Sequence, residues 1–457
     1  MKKVSRRALI AMILALALTV GCAAFAVTYI IEADTWVTFP GSPHVYAGAN
    51  VACGLVTDRT GRILLENGTE RIYSDDAQLR AATMHLLGDR YGYISAPLLG
   101  AYADEMIGYS KVNGLYHTDV GDSTAKLTIS GDVQKAALDA LSGYCGTVGV
   151  YNYQTGEILC AVTSPSYDPD NMPDVAGDTT GAYYGVYINR FFSSAYTPGS
   201  IFKLVTAAAA LEEIDGIENR TFTCTGETII GGQRIVCMGC HGELTLAQGL
   251  AHSCNIVFGE LAQELGAKKL QKYADRLGVA DRFPVDGFKT AAGCFDLSEA
   301  ESGDVAWAGI GQYSDQVNAC AFMRYMGVLA GGGEAVEPYL MEEVFRGDDV
   351  SYAAKTKTTG RLLSTETAQK LTGMMRQAVT DVYGDWLFPG LHVCAKSGTA
   401  ELEGQNPHAT FAGFVQDAAY PLAFVVIVEN GGSGSAVAAP IAGKVLTACK
   451  TAMDAEG

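Results

Sequence analysis

Three short polar groupings stand in otherwise apolar surroundings, and each combines residue types that can move a proton. The first is Tyr196-Thr197-Pro198-Gly199-Ser200-Ile201-Phe202-Lys203. Pro198 and Gly199 break the chain, and residues 204–211 are almost entirely apolar and alanine-rich, the pattern of a helix buried on all sides. Ser200 then sits at the head of that helix, with Lys203 three residues on and on the same face. This spacing can bring an amine within hydrogen-bond reach of a hydroxyl. Burial lowers a lysine's pKa, which makes the amine a base for a serine nucleophile. Free N–H groups at the helix start would stabilise negative charge developing beside the serine. Serine three residues before lysine also arises by chance on solvated helix faces. What sets this pair apart is a lysine heading an apolar helix, where a charge without a purpose is costly.

The second grouping is Ser253-Cys254-Asn255, flanked by Leu250-Ala251 and Ile256-Val257-Phe258. Polar side chains at 253 and 255 need hydrogen-bond partners in such a setting. A hydroxyl beside an amide could relay a proton and hold a substrate amide, although Ser and Asn are also common in turns and helix caps. His252 invites a Ser-His hydrolase reading, which the absence of a G-x-S-x-G elbow and of a partner acid argues against. The third grouping is Lys396-Ser397-Gly398-Thr399, ending an apolar strand. It places a cation and two hydroxyls on one edge, and Gly398 admits close approach of a ligand backbone. A second Lys-Thr-Thr-Gly run at 357–360 lies in a polar stretch with no strand before it and is set aside.

In the order S-x-x-K, S-x-N, K-[ST]-G these groupings form the signature of penicillin-binding proteins and class A β-lactamases. The chain resembles the penicillin-binding protein family, in particular the class B, monofunctional peptidoglycan D,D-transpeptidases, well over 125–457 and only faintly over 32–124. Thr155-Gly156-Glu157-Ile158-Leu159, Ser164-Pro165-Ser166-Tyr167-Asp168-Pro169, Asn189-Arg190, His241-Gly242, Gly309-Ile310-Gly311-Gln312 and Val428-Glu429-Asn430-Gly431-Gly432 fit the same pattern. The resemblance implies that Ser200 attacks the penultimate D-alanine of a peptidoglycan stem peptide while Lys203 takes its proton. Ser253 would pass a proton toward the leaving D-alanine, Asn255 would hold the donor amide, and Lys396 would support the electrostatics. Ser397, Gly398 and Thr399 form the substrate-binding edge, on which the Ser397 and Thr399 hydroxyls would take the terminal carboxylate. The backbone N–H groups of Ser200 and Thr399 would form the oxyanion hole. β-Lactam antibiotics are implied as acylating ligands, and a separate membrane glycosyltransferase as a partner. D,D-carboxypeptidase, β-lactamase and a non-catalytic scaffold that binds β-lactam or peptidoglycan are the alternatives. Two departures stand out: Thr410-Phe411 replaces the Trp-Phe of many relatives, which would alter the lining of the acceptor side, and Ser397 replaces a commoner threonine.

Several elements must position these residues. A helix is expected over 132–141, and a hairpin over 147–151 and 158–163 around the Gln154-Thr155-Gly156 turn. Strands are expected at 392–399, 411–415 and 422–429, with a closing helix over 436–453. Five strands contributed by the two ends of one domain, with helices between them, predict an α+β fold. Its expected form is an antiparallel five-stranded sheet flanked by helices, the serine β-lactamase/penicillin-binding transpeptidase fold. Ahead of it, 32–124 reads as a small, extended pedestal with a turn and strand at 58–65 and helical character over 76–89 and 97–107.

At 457 residues, 48% hydrophobic and 18% charged, the chain is of globular composition. A net charge of −18 argues against a nucleic-acid partner. Lys2, Lys3, Arg6 and Arg7 precede an uncharged apolar run over 8–31. The reading is a cytoplasmic tail (1–7), a single-pass membrane anchor (8–31), the pedestal (32–124) and an extracytoplasmic transpeptidase domain (125–457). Cleavage as a signal peptide and lipidation at Cys22 compete, but the apolar run is longer than a signal peptide's and continues past Cys22. Of twelve cysteines, Cys160 and Cys394 lie in apolar runs as small hydrophobes, whereas Cys224, Cys237 and Cys240 share a polar, Gly-rich stretch suited to a disulfide. Cys237-x-x-Cys240-His241 lacks a second ligand pair at recognisable spacing, so neither metal nor cofactor is assigned.

Overall fold

The structure is a computed structural model that describes residues 2–39, 42, 45–47, 50–52, 54–68, 70–115 and 123–456. It opens with α1 (Lys2–Val37), whose stretch Lys3–Ala33 is long and apolar enough to cross a membrane; near its end Tyr29 and Ile30 meet Tyr109 and Lys111. After a two-residue pairing of Tyr46–Ala47 with Asn50–Val51 come three short strands, β1 (Leu55–Thr57), β2 (Ile63–Asn67) and β3 (Arg71–Tyr73), then α2 (Ala77–Leu87), which starts where the Asp76 carboxylate accepts the N–H groups of Gln78 and Leu79. The helical character expected over 97–107 resolves into two single turns, Pro97–Ala101 and Ala103–Ile107.

Strand β4 (Ser123–Leu127) and helix α3 (Gly131–Ala140) lead into the hairpin of β5 (Gly146–Asn152) and β6 (Ile158–Ser164). The helical middle of the chain includes α4 (Lys203–Glu213), α5 (Leu246–Ala251), α6 (Asn255–Leu277) and α7 (Ala319–Ala330). Strands β7 (Met341–Arg346) and β8 (Asp349–Ala353) precede α8 (Thr365–Ala378). The chain ends on β9 (Val393–Leu402), β10 (Gln405–Val415), β11 (Leu422–Val428) and α9 (Ala439–Glu456).

The central sheet has the order β9-β10-β11-β5-β6 and is antiparallel throughout. Its strands come from the two ends of the domain, as the spacing of apolar runs predicts. Every residue of β11 is buried, which requires cover on both faces. Period-two alternation divides them: Leu422, Phe424, Val426 and Val428 enter one core with α3 and α9, while Ala423, Val425 and Ile427 enter the other with α7.

A second, six-stranded sheet has the order β8-β7-β4-β1-β2-β3, with β1 parallel to β4 and the other neighbours antiparallel. The boundary at 124/125 therefore falls inside β4, and this sheet takes two of its six strands from 341–353, far downstream. The pedestal segment and the catalytic segment are threaded through each other.

Arg190 shows how the sheet is tied to its surroundings. It is 2% exposed, pairs with Glu429 just beyond β11 at 2.8 Å, and donates to the carbonyls of Gly185 at 2.8 Å and Tyr184 at 2.9 Å. A buried guanidinium with all its directions occupied is costly to disturb, because its partners lose their bonds in a site water does not reach. Arg190→Met is expected to lower stability by about 3 kcal/mol, seen as a lower urea midpoint at unchanged slope.

Candidate active site

Ser200 lies in a single 3-10 turn, Gly199–Phe202, that runs directly into α4. Glycine at 199 has a physical cause. Its φ is +58°, and a side chain there would meet the Thr399 carbonyl at 2.9 Å and Ala400 Cα at 3.0 Å. Gly199 N–H donates to Gly311 O at 3.0 Å, which fixes the turn from the other side. Gly398 is equally constrained: a Cβ would stand 2.2 Å from Thr410 Oγ1, 2.9 Å from Pro198 O and 3.1 Å from Ile201 N. Strand β9 and the nucleophile's turn therefore lie backbone to backbone. The Thr410 hydroxyl, fully buried, donates to Pro198 O at 3.0 Å. Thr410 thus braces the Ser200 turn, because its register opposite Gly398 brings its hydroxyl to Pro198.

Lys203 has no exposure at all. Its Nζ stands 2.7 Å from Ser253 O, 2.7 Å from Asn255 Oδ1 and 3.2 Å from Ser253 Oγ. The Ser200 side chain makes no hydrogen bond to a described residue, so the lysine is held by the Ser-x-Asn turn and not by the serine three residues away. Burial pushes the Lys203 amine well below the usual lysine range, and the neighbouring Lys396 charge adds to the effect. A neutral amine has two N–H donors and one lone pair. The two carbonyl oxygens at 2.7 Å take the donors, leaving the lone pair toward hydroxyls.

The Ser-x-Asn motif is a tight break between α5 and α6. A capping box of Thr245 and Gln248 starts α5. Ser253 then sits at φ +55°, an uncommon conformation for serine, and Asn255 begins α6. Asn255 is fixed at both ends of its amide: Oδ1 accepts from Lys203, and Nδ2 donates to Val236 O at 2.7 Å.

Lys396, Ser397, Gly398 and Thr399 lie on β9, the edge strand of the central sheet. Lys396 is fully buried, and its amine donates to Ser397 O at 2.7 Å. Burial lowers its pKa to about 7. The Ser397 N–H and hydroxyl both donate to the Tyr383 phenol oxygen at 3.0 Å. Tyr383 closes the Val379–Tyr383 turn that follows α8, and nothing in its spacing marks it in the sequence. Gly434 N–H approaches Thr399 Oγ1 at 3.5 Å.

These pieces enclose a cleft of ≈ 420 Å³ whose walls include Ser200, Ser253, Asn255, Ser397 and Thr399, while Lys203 and Lys396 lie beneath its floor. All eight residues singled out in the three motifs are thus in one neighbourhood. Trp307, Arg234 and Tyr383 also line the cleft and belong to no motif. Lys357 and Thr358 of the set-aside run line a different cleft with Tyr102 and Asp286. His252 is exposed on the cleft rim and stacks on His241 with centroids 5.6 Å apart. Behind the Ser-x-Asn turn, Cys224, Cys237, His241 and Cys254 converge as the described residues able to hold a metal ion. Cys240 stays outside that group.

Residues 146–447 match the family described as penicillin binding protein transpeptidase domain. The chain is similar to peptidoglycan D,D-transpeptidase PbpA of Mycolicibacterium smegmatis, 29% identical over 350 residues covering 69% of this chain and 70% of that protein. Stage V sporulation protein D of Bacillus subtilis is 29% identical over 314 residues, 65% of this chain and 47% of that protein. Among solved structures, the D,D-transpeptidase domain of a peptidoglycan glycosyltransferase from Eggerthella lenta superposes with TM-score 0.75 at 26% identity, covering 89% of this chain and 99% of that one. Penicillin-binding protein A of M. tuberculosis, as its ceftriaxone acyl-enzyme complex, gives TM-score 0.73 at 26% identity over 87% of this chain and 98% of that one.

The backbone contact at Gly398 makes a sharp test. Gly398→Ala is expected to fold, because the turn can shift, yet to slow labelling of Ser200 by a fluorescent penicillin about 100-fold, the scale on which an ångström-sized misplacement acts. Unchanged labelling would show that the close approach does not position the serine.

Proposed function

As this chain belongs to the penicillin-binding protein transpeptidase family, we propose that it is an acyl-serine D,D-transpeptidase that cross-links peptidoglycan stem peptides ending in D-Ala-D-Ala. One observation carries the assignment of roles: the buried Lys203 amine is bound at once by Ser253 and Asn255 and lies three residues from Ser200. In the reaction, Ser200 Oγ attacks the carbonyl of the penultimate D-alanine and gives its proton to Lys203 Nζ. Ser253, touching that amine, passes a proton to the nitrogen of the departing D-alanine as the peptide bond breaks. The amine of an acceptor stem then attacks the ester, an amide forms, and Ser200 recovers its proton.

Each remaining residue has a task set by its position. Asn255, clamped by Lys203 and Val236, presents its amide to the donor peptide. Lys396 supplies positive potential beneath the edge strand, and the hydroxyls of Ser397 and Thr399 receive the terminal carboxylate. Strand β9 is the edge of the central sheet, and an extended peptide can pair with such a strand once side-chain partners such as Tyr383 give way. The backbone N–H groups of Ser200 and Thr399 serve as the oxyanion hole. A β-lactam enters the same chemistry, but its leaving nitrogen stays tethered, so the acyl-enzyme persists. Among the described residues lining the cleft, Glu401 is the single carboxylate, and it is exposed. This favours slow hydrolysis of the ester over β-lactamase turnover.

The apolar helix α1 supports a single-pass membrane anchor. Basic residues at its start favour the orientation with the catalytic domain outside the cytoplasm. Glycan strands would then come from a separate membrane glycosyltransferase.

Incubation with benzylpenicillin and intact-mass measurement is expected to show one lasting adduct, absent from Ser200→Ala. Drug turnover without an adduct would replace this reading with a β-lactamase, and an inert folded protein would leave a scaffold. The pH profile tests the two lysines separately. Lys203 must be neutral to accept a proton, so acylation rises with pH across its depressed range. Lys396 must be charged to act, so acylation falls again as pH passes about 7. Lys396→Arg is expected to remove the alkaline limb, because a guanidinium keeps its proton there.

A further inference from the structure

Four donor atoms meet behind the Ser-x-Asn turn. Cys224 ends the strand Thr221–Cys224, Cys237 follows the strand Gln233–Val236, His241 precedes the strand Gly242–Thr245, and Cys254 is the middle residue of the motif itself. Their ligand atoms all lie within 4.8 Å of one another. His241 Nδ1 stands 3.4 Å from Cys224 Sγ and 3.5 Å from Cys237 Sγ. A tetrahedral ion with bonds of roughly 2.3 Å to sulfur and 2.0–2.1 Å to nitrogen sets a sulfur–nitrogen edge of roughly 3.5 Å. The gathered side chains already have that spacing.

The surroundings suit thiolates. All three cysteines are buried and the histidine is half-buried. The Asn255 N–H donates to Cys237 Sγ at 3.3 Å, the kind of outer contact that orients a metal-bound sulfur. The other buried cysteines, such as Cys160 and Cys449, show no such gathering among the described residues. Cys240 is exposed and its thiol is directed at the Cys224 carbonyl, 3.3 Å away, so the set is not the Cys-x-x-Cys-His run that adjacency in sequence suggests.

We infer that Cys224, Cys237, His241 and Cys254 bind one zinc ion in a closed tetrahedral centre that ties the 221–245 wall of the cleft to the Ser-x-Asn turn. Four protein ligands leave no open position for substrate or water, so the ion is structural. Binding displaces the cysteine thiol protons to solvent and forms three zinc–sulfur bonds and one zinc–nitrogen bond. Its consequence for the site is positional. Cys254 lies between Ser253 and Asn255, and Cys237 follows Val236, whose carbonyl holds the Asn255 amide. One ion thereby fixes both supports of Asn255.

The test is the metal content of the full chain, purified in detergent without chelators and read by elemental mass spectrometry. About one zinc per chain is expected. Cys224→Ser and Cys254→Ser are expected to lower it at least ~10-fold, while Cys240→Ser leaves it intact. Should the serine variants misfold, Cys224→His, which retains a ligand, is expected to keep the metal. Cobalt exchange should give the sulfur-to-metal absorption of a tetrahedral thiolate site. Wild-type protein with freely alkylatable thiols and under about 0.1 equivalent of metal would overturn the inference. So would peptide mapping that finds Cys224, Cys237 or Cys254 in a disulfide. Metal content is read without substrate, so its outcome is independent of the transpeptidase reading.

Discussion

An amine without solvent contact must find every partner inside the protein, and Lys203 finds its partners on a turn fifty residues downstream. That single cluster sets the relation between α4, which carries Lys203, and the break between α5 and α6, which carries Ser253 and Asn255. Removing a polar partner from such a buried group costs far more than a surface bond would. The arrangement therefore holds the two helical elements in register and, through the three residues from Lys203 back to Ser200, holds the nucleophile as well. The sheet enters the same arrangement by a different device, direct contact of backbone on backbone, for which Gly199 and Gly398 supply the missing side-chain volume.

Lys203 and Lys396 solve one electrostatic problem in two ways. Both are fully buried, and two adjacent cations in a low dielectric cannot both stay charged cheaply. The lysine beside the Ser-x-Asn turn is driven further below its usual range than the one on the sheet. A proton acceptor and a fixed cation are thus made from the same residue type. Burial depresses both amines, and the Lys396 charge depresses Lys203 further, against the opposing pull of the Cys237 and Cys254 thiols.

The parts of this molecule that were legible in the sequence are those encoded by local pattern. Short apolar runs at 147–151 and 158–163 carried the hairpin, and 411–415 and 422–429 carried two more strands, because a strand buried on both faces reads as a continuous apolar run. The motif residues were legible because lysine, serine and asparagine stand out against apolar neighbours. Contacts made by topology were not. For Thr410 the sequence suggests only a changed lining of the acceptor side; its bond to Pro198 follows from register opposite Gly398, which no local pattern shows. Tyr383 carries no local signal, and its bond to Ser397 exists only because the turn after α8 packs beside β9. The cysteine–histidine group escaped for the same reason. Its members lie in or beside different strands and at a helix start, and the nearest pair in sequence includes Cys240, the one cysteine of that stretch that points elsewhere.

The sheet that takes β7 and β8 from the catalytic stretch and β1 to β4 from the stretch after the anchor makes a knot of dependence between regions that composition separates. A cut near residue 125 would strip β4 of its N-terminal half and leave the edge of β7 bare, an open row of peptide groups ready to pair with another chain. A soluble form must accordingly begin close behind the anchor. The same threading gives the protein a mechanical character: tension on the membrane helix is delivered, through hydrogen-bonded strands, to the part of the chain that also builds the cleft. A load applied at one end of the chain is thus shared by both stretches, and neither can yield without drawing on strands that belong to the other.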